Sequence, residues 1–429
     1  MQRQQRKIFQ LKENNMEYNT TTLPNGLRVI HRKDPSAVVF CGYQIAVGTR
    51  HERPGQEGLA HFCEHTTFKG TARRSSLQIL NALESVGGEL NAFTTKERTV
   101  YYAATMKEHL GRTIDLLGDI VFNSVYPQSE IDKEVEVICD EIESYNDSPA
   151  ELIYDEFENI IHAGHPLGHN ILGNADVVRQ FKTEDALTFT REHYRPDNAI
   201  FFVCGDVDFK WLLRRLTSTT PAINQHPTTI IQHPSPSTQN PSTGKNEGGS
   251  HILDMQTHQA HVMIGCRSYP IGHPLRMPLY VMNNILGGPA LNSRLNVCLR
   301  ERNALVYTVE SSAAFYTDTG TWSVYFGCDH HDIKHCLRLV HRELDRLMQR
   351  PLPTRQLQAA KRQLKGQLGI ATDNREQFAI DFGKSFLYNG WEKDIHQLFQ
   401  RIDDVTAEQM QQVAQELFQP ENLTTLIIK

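Results

Sequence analysis

The hydrophobic pattern of this 429-residue chain spells out one order of elements twice. After the turn signal Leu23-Pro24-Asn25-Gly26, residues 27–31 alternate like a strand, and 37–47 reads as a second. Helical patterns follow at 57–68 and 75–86, Gly87-Gly88 ends the second, and 89–95 with 98–104 reads as a hairpin. Longer helices span 109–123 and 129–145, another starts after Pro149, and a strand at 199–204 and a helix at 209–216 close the first pass. The second pass has a strand at 259–266, helices at 274–286 and 291–301, and a hairpin of 307–316 with 320–328. Helices at 331–348 and 354–370, more helix to 418 and a strand at 423–428 complete it. This is an internal duplication with a unit of about 200 residues, far longer than a solenoid repeat. A chain of this length also exceeds one ordinary core.

Between the passes, 221–250 carries Pro227, Pro234, Pro236, Pro241 and Gly248-Gly249 without apolar periodicity, which predicts a linker. Residues 1–15 read as a polar extension, with Met16 as a natural second start, so the expected organisation is 1–15, 16–220, 221–250 and 251–429. The polar N-terminus leads into no apolar segment of a secretory leader, and no run is long enough to span a membrane, which points to the cytoplasm. A net charge of −6 argues against a nucleic-acid surface. The eight cysteines form no C-x-x-C pair and sit in apolar runs, as buried free thiols of a reducing compartment do.

One pentapeptide carries chemistry. In His61-Phe62-Cys63-Glu64-His65, positions i, i+3 and i+4 share a helix face, so His61, Glu64 and His65 point together. Two imidazoles one turn apart can take two corners of a tetrahedral Zn²⁺ site, with a carboxylate beside the open position, the H-x-x-E-H arrangement. Zinc needs a third protein ligand. The acidic helix at 130–145 also carries Val135, Val137, Ile138 and Ile142, so it is expected to be largely buried, and buried carboxylates want a cation. Glu134 and Glu141, seven positions apart, share one of its faces. Glu141 is the expected third ligand, and Glu134 the group that orients a ligand. The second pass has no paired histidines at 274–286, so one zinc per chain is expected.

These residues resemble the inverted-zincin metallopeptidases of the pitrilysin, insulin-degrading enzyme and mitochondrial processing peptidase family. The match runs through Leu23-Pro24-Asn25-Gly26-Leu27, Gly58-Leu59-Ala60-His61-Phe62-Cys63-Glu64-His65, Phe68-Lys69-Gly70-Thr71, Asn91-Ala92-Phe93-Thr94 and Thr99-x-Tyr101, covering about 17–429. It is closest in length to the short, single-unit bacterial members. The resemblance implies an α+β fold of two homologous domains, each a mostly antiparallel sheet packed against helices, together half of a clamshell. It implies a zinc endopeptidase acting on short or unfolded peptides in an enclosed chamber, with Glu64 as general base. Arg300 and Tyr307 match the family's Arg and Tyr that reach the substrate, although Ala304 stands where the family usually has Gly. Strand 89–95, with Asn91, Ala92 and Phe93, would offer an edge to an extended peptide. Because one chain carries both motifs, the expected partner is a second copy, each protomer completing the other's site. The alternatives are a non-catalytic core-type scaffold subunit and a dedicated precursor-processing peptidase.

Other histidines read as structural. His162, His165 and His169 fall in a Pro/Gly loop, and Asp329 is expected to cap the helix carrying His330, His331 and His335.

Overall fold

The computed structural model describes residues 18–222, 248–389 and 395–429. The segment 1–15 and most of the 221–250 linker lie outside the described residues.

The first half runs β1 (Tyr18–Thr22), β2 (Arg28–Arg32), β3 (Val38–Ile45), α1 (Leu59–Thr67), α2 (Ser76–Glu84), β4 (Glu89–Thr94), β5 (Thr99–Met106), α3 (Leu110–Asn123), α4 (Gln128–Asn146) and α5 (Pro149–Ile161). A short α6 (Ala175–Val178), α7 (Thr183–His193), β6 (Ala199–Cys204) and α8 (Phe209–Thr219) complete it. The second half runs β7 (Ser250–Leu253), β8 (Ala260–Ser268), α9 (Arg276–Gly287), β9 (Val306–Phe315), β10 (Gly320–Cys328), α10 (Ile333–Gln349), α11 (Thr354–Ala371) and α12 (Arg375–Asn389). It ends with α13 (Ile395–Asp404), α14 (Ala407–Leu417) and β11 (Thr424–Ile428).

Local chemistry sets these limits. The turn from β1 to β2 uses Gly26 at φ +86°, where a Cβ would stand 2.7 Å from that of Asp197. Ser75 and Gln78 exchange side-chain and backbone hydrogen bonds in a capping box that starts α2. Three expectations need correction. Strand β1 precedes the first one expected. The helix expected at 291–301 narrows to 294–301, most of it a wide-wound π-helical turn at Asn296–Glu301, because residues 288–293 form bends and turns around Pro289. Asp329 occupies an N-cap position, but its carboxylate accepts no backbone hydrogen bond, because it opens a single 3₁₀ turn rather than α10 itself.

Two sheets result, ordered β1-β2-β6-β3-β5-β4 and β7-β11-β8-β10-β9, antiparallel except at β2–β6 and β7–β11. The fold is α+β in two halves, as expected. In both sheets the hairpin ends in an edge strand, β4 or β9.

Each sheet is apolar on both faces. Along β6, Ala199, Phe201 and Val203 turn to the helices of the first half, while Ile200, Phe202 and Cys204 turn the other way. That second face is covered by α12, from the second half, through Ala379, Ile380, Phe382, Phe386 and Leu387. Reciprocally, α5 of the first half covers Met263, Tyr325, Leu426 and Ile428 of the second sheet through Leu152, Ile153, Phe157 and Ile161. Arginines hold the C-terminal parts of both helices: Arg28 donates to the carbonyls of Phe386 and Leu387, and Arg267 to that of Ile161. At Gly383 a Cβ would meet Gln44 Nε2 at 2.4 Å, so the glycine lets α12 lie close on its sheet.

Phe157 belongs to the first half by sequence but packs under the second sheet. Phe157→Ala is expected to cost about 3 kcal/mol. Amide exchange should accelerate first in β8 and β11, not in β2 and β6.

Candidate metal centre

Helix α1 is fixed at its start. Gly58 lies at φ +98°, and a Cβ there would meet Leu172 O at 2.7 Å. The buried carboxylate of Glu52 accepts the Gly58 N–H at 3.0 Å and the Ala60 N–H at 2.7 Å, satisfying free amides at the positive end of the helix. His169 Nε2 meets the same carboxylate at 3.0 Å. Leu59, Ala60, Phe62 and Cys63 enter the core, which leaves His61, Glu64 and His65 on the face turned toward α4 and β4.

On α4 the buried residues are Ile131, Glu134, Val135, Ile138, Cys139 and Ile142. Val137 is 52% exposed, so the helix buries one face and is not largely buried, contrary to expectation. Three donor groups converge. Glu141 Oε2 lies 3.4 Å from His65 Nε2 and 3.8 Å from His61 Nε2. His61, His65 and Glu141 each bring a donor atom within 4.8 Å of the others. Glu134 does not point there. It takes His65 Nδ1 at 3.1 Å and Lys69 Nζ at 2.5 Å. An Nδ1–H held by a carboxylate leaves the Nε2 lone pair for a metal. Two imidazoles, one carboxylate and one ring held by an outer carboxylate form a donor set that fits zinc.

The electrostatics match. Burial, with the charge on His65, lowers the His61 pKa to about 4. Burial opposes the charge on His65, but hydrogen bonds to Glu134 and Glu141 outweigh it and raise its pKa to about 9. Glu64 is buried, and burial raises its pKa against the Thr94 hydrogen bond. Its Oε2 accepts Thr94 Oγ1 at 2.7 Å, tying this carboxylate to β4. Asn91, Ala92 and Phe93 lie on that edge strand, with Asn91 exposed.

Arg300 and Tyr307 are brought to each other, not to these residues. The Arg300 guanidinium stands 5.8 Å from the Tyr307 ring centre, on a cavity of about 370 Å³ that β9 also lines. Tyr307 is 81% exposed. Ala304, between them, lies at φ +49°, a conformation that suits glycine better. His162, His165 and His169 contact Thr321, Asp318 and Glu52, which accounts for them as structural groups. Asp329, His331 and Asp332 also converge, but on the surface, at the electropositive start of α10. Sequence reasoning gave no role to Glu52, Lys69 or Thr94. Their partners lie 6 to 117 positions away, and of the three only Lys69 and Thr94 fall in segments that carried the resemblance.

Comparisons with known proteins give matches along most of the chain. Residues 28–175 match the insulinase family (peptidase family M16), and residues 180–364 match the M16 inactive domain. The chain is 29% identical over 413 residues to the uncharacterized zinc protease YmxG of Bacillus subtilis, covering 95% of this chain and 97% of that one. It is 30% identical over 402 residues to an uncharacterized zinc protease of Streptomyces coelicolor, covering 92% and 86%. The crystal structure of a protease from Helicobacter pylori superposes with a TM-score of 0.87 at 22% identity, over 96% of this chain and 99% of that one. An M16 inactive-domain structure from Pseudomonas fluorescens gives 0.85 at 16% identity, over 96% and 97%.

The raised pKa of His65 makes it a source of stability that is full below pH 6.5 and lost as pH rises through about 9 in the metal-free chain. A cation that takes its Nε2 must displace that proton. Calorimetry of zinc binding in buffers of different ionisation enthalpy should show release of about one proton at neutral pH and almost none near pH 10. Glu134→Gln should move the loss of proton release to lower pH.

Proposed function

The chain belongs to the M16 peptidase family as a single-unit member of the short bacterial type, and on that premise we propose that it is a zinc-dependent endopeptidase cleaving short or unfolded peptides. The observation that carries this reading is the convergence of His61, His65 and Glu141 beside a buried Glu64 that is not part of the donor set. A zinc ion held by the three would supply Lewis acidity, lowering the pKa of a bound water and polarising a peptide carbonyl.

The chain's own residues do the rest. Thr94 occupies one oxygen of Glu64 and leaves the other for a proton. Burial lifts the pKa of this carboxylate, so it can take a proton from water and return it to the leaving nitrogen. Glu134, held by Lys69, keeps His65 in the orientation and tautomer that a ligand needs. Strand β4 has a free edge beside α1, and an extended peptide adding there through Asn91, Ala92 and Phe93 would be held by main-chain bonds. Residues 16–220 form the catalytic domain in this reading, and 251–429 the domain that supplies Arg300 and Tyr307.

Arg300 and Tyr307 contact none of the candidate ligands in their own chain. Tyr307 and Leu291, both on the wall of that cavity, are 81% and 68% exposed. A homodimer of facing halves would enclose a chamber and bring this pair to the partner's centre, to anchor the peptide or donate to its carbonyl oxygen. Among the described residues no helix is long and apolar enough to cross a membrane, which is consistent with the proposed cytoplasmic location.

Glu64→Gln should retain zinc and lose cleavage of a quenched fluorescent peptide by roughly a hundredfold or more. Loss of zinc in this variant, or cleavage at the wild-type rate, would refute the assignment. Mixing inactive Glu64→Gln with an inactive Arg300→Ala/Tyr307→Phe chain should restore about a quarter of the rate. Half the dimers are then mixed, and each mixed dimer holds one intact site. No restoration after subunit exchange would mean that each chain works alone.

A further inference from the structure

Among the described residues, three other than glycine have a positive φ: Tyr126 at +48°, Gln256 at +54° and Ala304 at +49°. Tyr126 is the bulkiest of them, and Pro127 follows it. A large side chain disfavours this region, and the residue before a proline is normally extended. Such a backbone persists where its surroundings over-determine it, and it gathers where geometry serves a site. Tyr126 is 1% exposed. It lies in the turn 124–127, between the end of α3 and the start of α4, the helix that carries Glu134 and Glu141.

What holds it is the end of α1. Ser124 Oγ donates to the Thr67 carbonyl at 2.9 Å, the Val125 N–H to that of Gly70 at 3.1 Å, and the Ala72 N–H to that of Asn123 at 3.2 Å. The Tyr126 hydroxyl meets Thr67 Oγ1 at 3.2 Å. Thr67 gives its own proton to the Cys63 carbonyl at 2.7 Å, so Tyr126 is the donor. On its other side, the Tyr126 carbonyl accepts Thr183 Oγ1 at 2.7 Å. The Thr183 N–H donates to Gln128 Oε1, in the first turn of α4, at 3.1 Å. The entry to α4 is thus fastened to the last turn of α1, two residues beyond His65, and to the start of α7.

A helix rises about 1.5 Å per residue, so Glu141 stands about 20 Å along α4 from its entry, and a tilt of about 5° there would carry its carboxylate about 1.7 Å. Ligand distances at a metal tolerate only about 0.2 Å. The angle at which α4 leaves the turn therefore decides whether Glu141 can share an ion with α1. Resting on the reading of His61, His65 and Glu141 as zinc ligands, we propose that Tyr126 is a positioning residue for the metal centre. Its positive-φ backbone, clamped by Thr67 and Thr183, sets α4 against α1 and so delivers Glu141 to the two histidines.

The test is a double-mutant cycle on zinc affinity, measured on the full chain by competition with a chromophoric chelator. Tyr126→Phe keeps the ring and removes the hydroxyl that holds Thr67; Tyr126→Ala removes the ring as well. Affinity should fall about fivefold in the first and about tenfold or more in the second. Metal-free Tyr126→Phe is expected to unfold within about 4 °C of wild type. In a Glu141→Gln background both substitutions should change zinc affinity by less than about twofold, because the ligand they aim is already gone. Equal losses with and without Glu141 would mean that Tyr126 merely stabilises the fold. Unchanged affinity in both variants would mean that the clamp aims nothing. Either result overturns the proposal and leaves the ligands standing. A wild-type zinc affinity that does not depend on Glu141 would overturn the ligand reading, and the proposal with it.

Discussion

Neither sheet of this protein can be covered by its own half of the chain. Each has two apolar faces, and burying an aliphatic or aromatic side chain is worth about 1.5–3 kcal/mol, so an uncovered face would forfeit much of the core. The exchange of α5 and α12 solves this for both sheets at once. It also binds the halves into one body and sets the turns 95–98 and 316–319 against each other. There Arg50 lies between Glu97 and Asp318, Thr317 donates to Glu97, and His165 faces Asp318. Buried ion pairs of this kind contribute little net stability but penalise any other register. The 95–98 turn continues directly from Thr94, which holds Glu64. The covering of the sheets and the aim of the proposed base are therefore linked through one short stretch of backbone.

Around α1, four carboxylates differ in role because their surroundings differ. Glu52 is buried against helix amides and His169, and burial raises its pKa. Glu134, between His65 and Lys69, is held below the usual range, burial notwithstanding. Glu141 is lowered by its hydrogen bond to His65 and by the charges of both histidines, and with its side chain 45% exposed it stays an anion on the open side. Glu64 has no cation in direct contact, and burial raises its pKa. Environments that push like groups apart are how acid–base and ligand roles are divided within one site. A carboxylate kept ionised suits a ligand, and one pushed upward suits proton transfer.

Much of this was readable from residue order. Helical periodicity placed His61, Glu64 and His65 on one face, and seven-residue spacing placed Glu134 and Glu141 on another. Period-2 alternation located both hairpins. The duplication announced two sheets. What could not be read is what depends on contacts across long separations. The exchange of α5 and α12 is invisible to periodicity, which reports that a helix has an apolar face but not which sheet receives it. Val137 misled for a related reason: an apolar residue on a helix need not be buried, and this one faces solvent. Glu52 looked like one charge among many, because its partners are main-chain amides that carry no side-chain signature. The π-helical turn at Asn296–Glu301 differs from an α-helix by a single hydrogen-bond register, which side-chain spacing over six residues does not resolve.

The duplication makes the difference between the halves informative. In both, a helix packs against the edge strand of a hairpin, α1 on β4 and α9 on β9. In both, a polar link joins helix to strand. In the first half that link is Thr94 to Glu64, a hydroxyl donating to an ionisable carboxylate. In the second it is Asn283 and Ser311, each side chain donating to the other residue's backbone carbonyl. The second link fixes the geometry of helix and strand as firmly as the first, but an amide and a hydroxyl neither take nor release a proton near neutral pH. With no paired histidines on α9, the second half keeps the helix and the edge strand but has, at this link, neither an ionisable carboxylate nor a histidine pair. A half built this way can hold an extended chain by its backbone, and in the proposed function the bond-breaking chemistry falls to the half that carries Glu64.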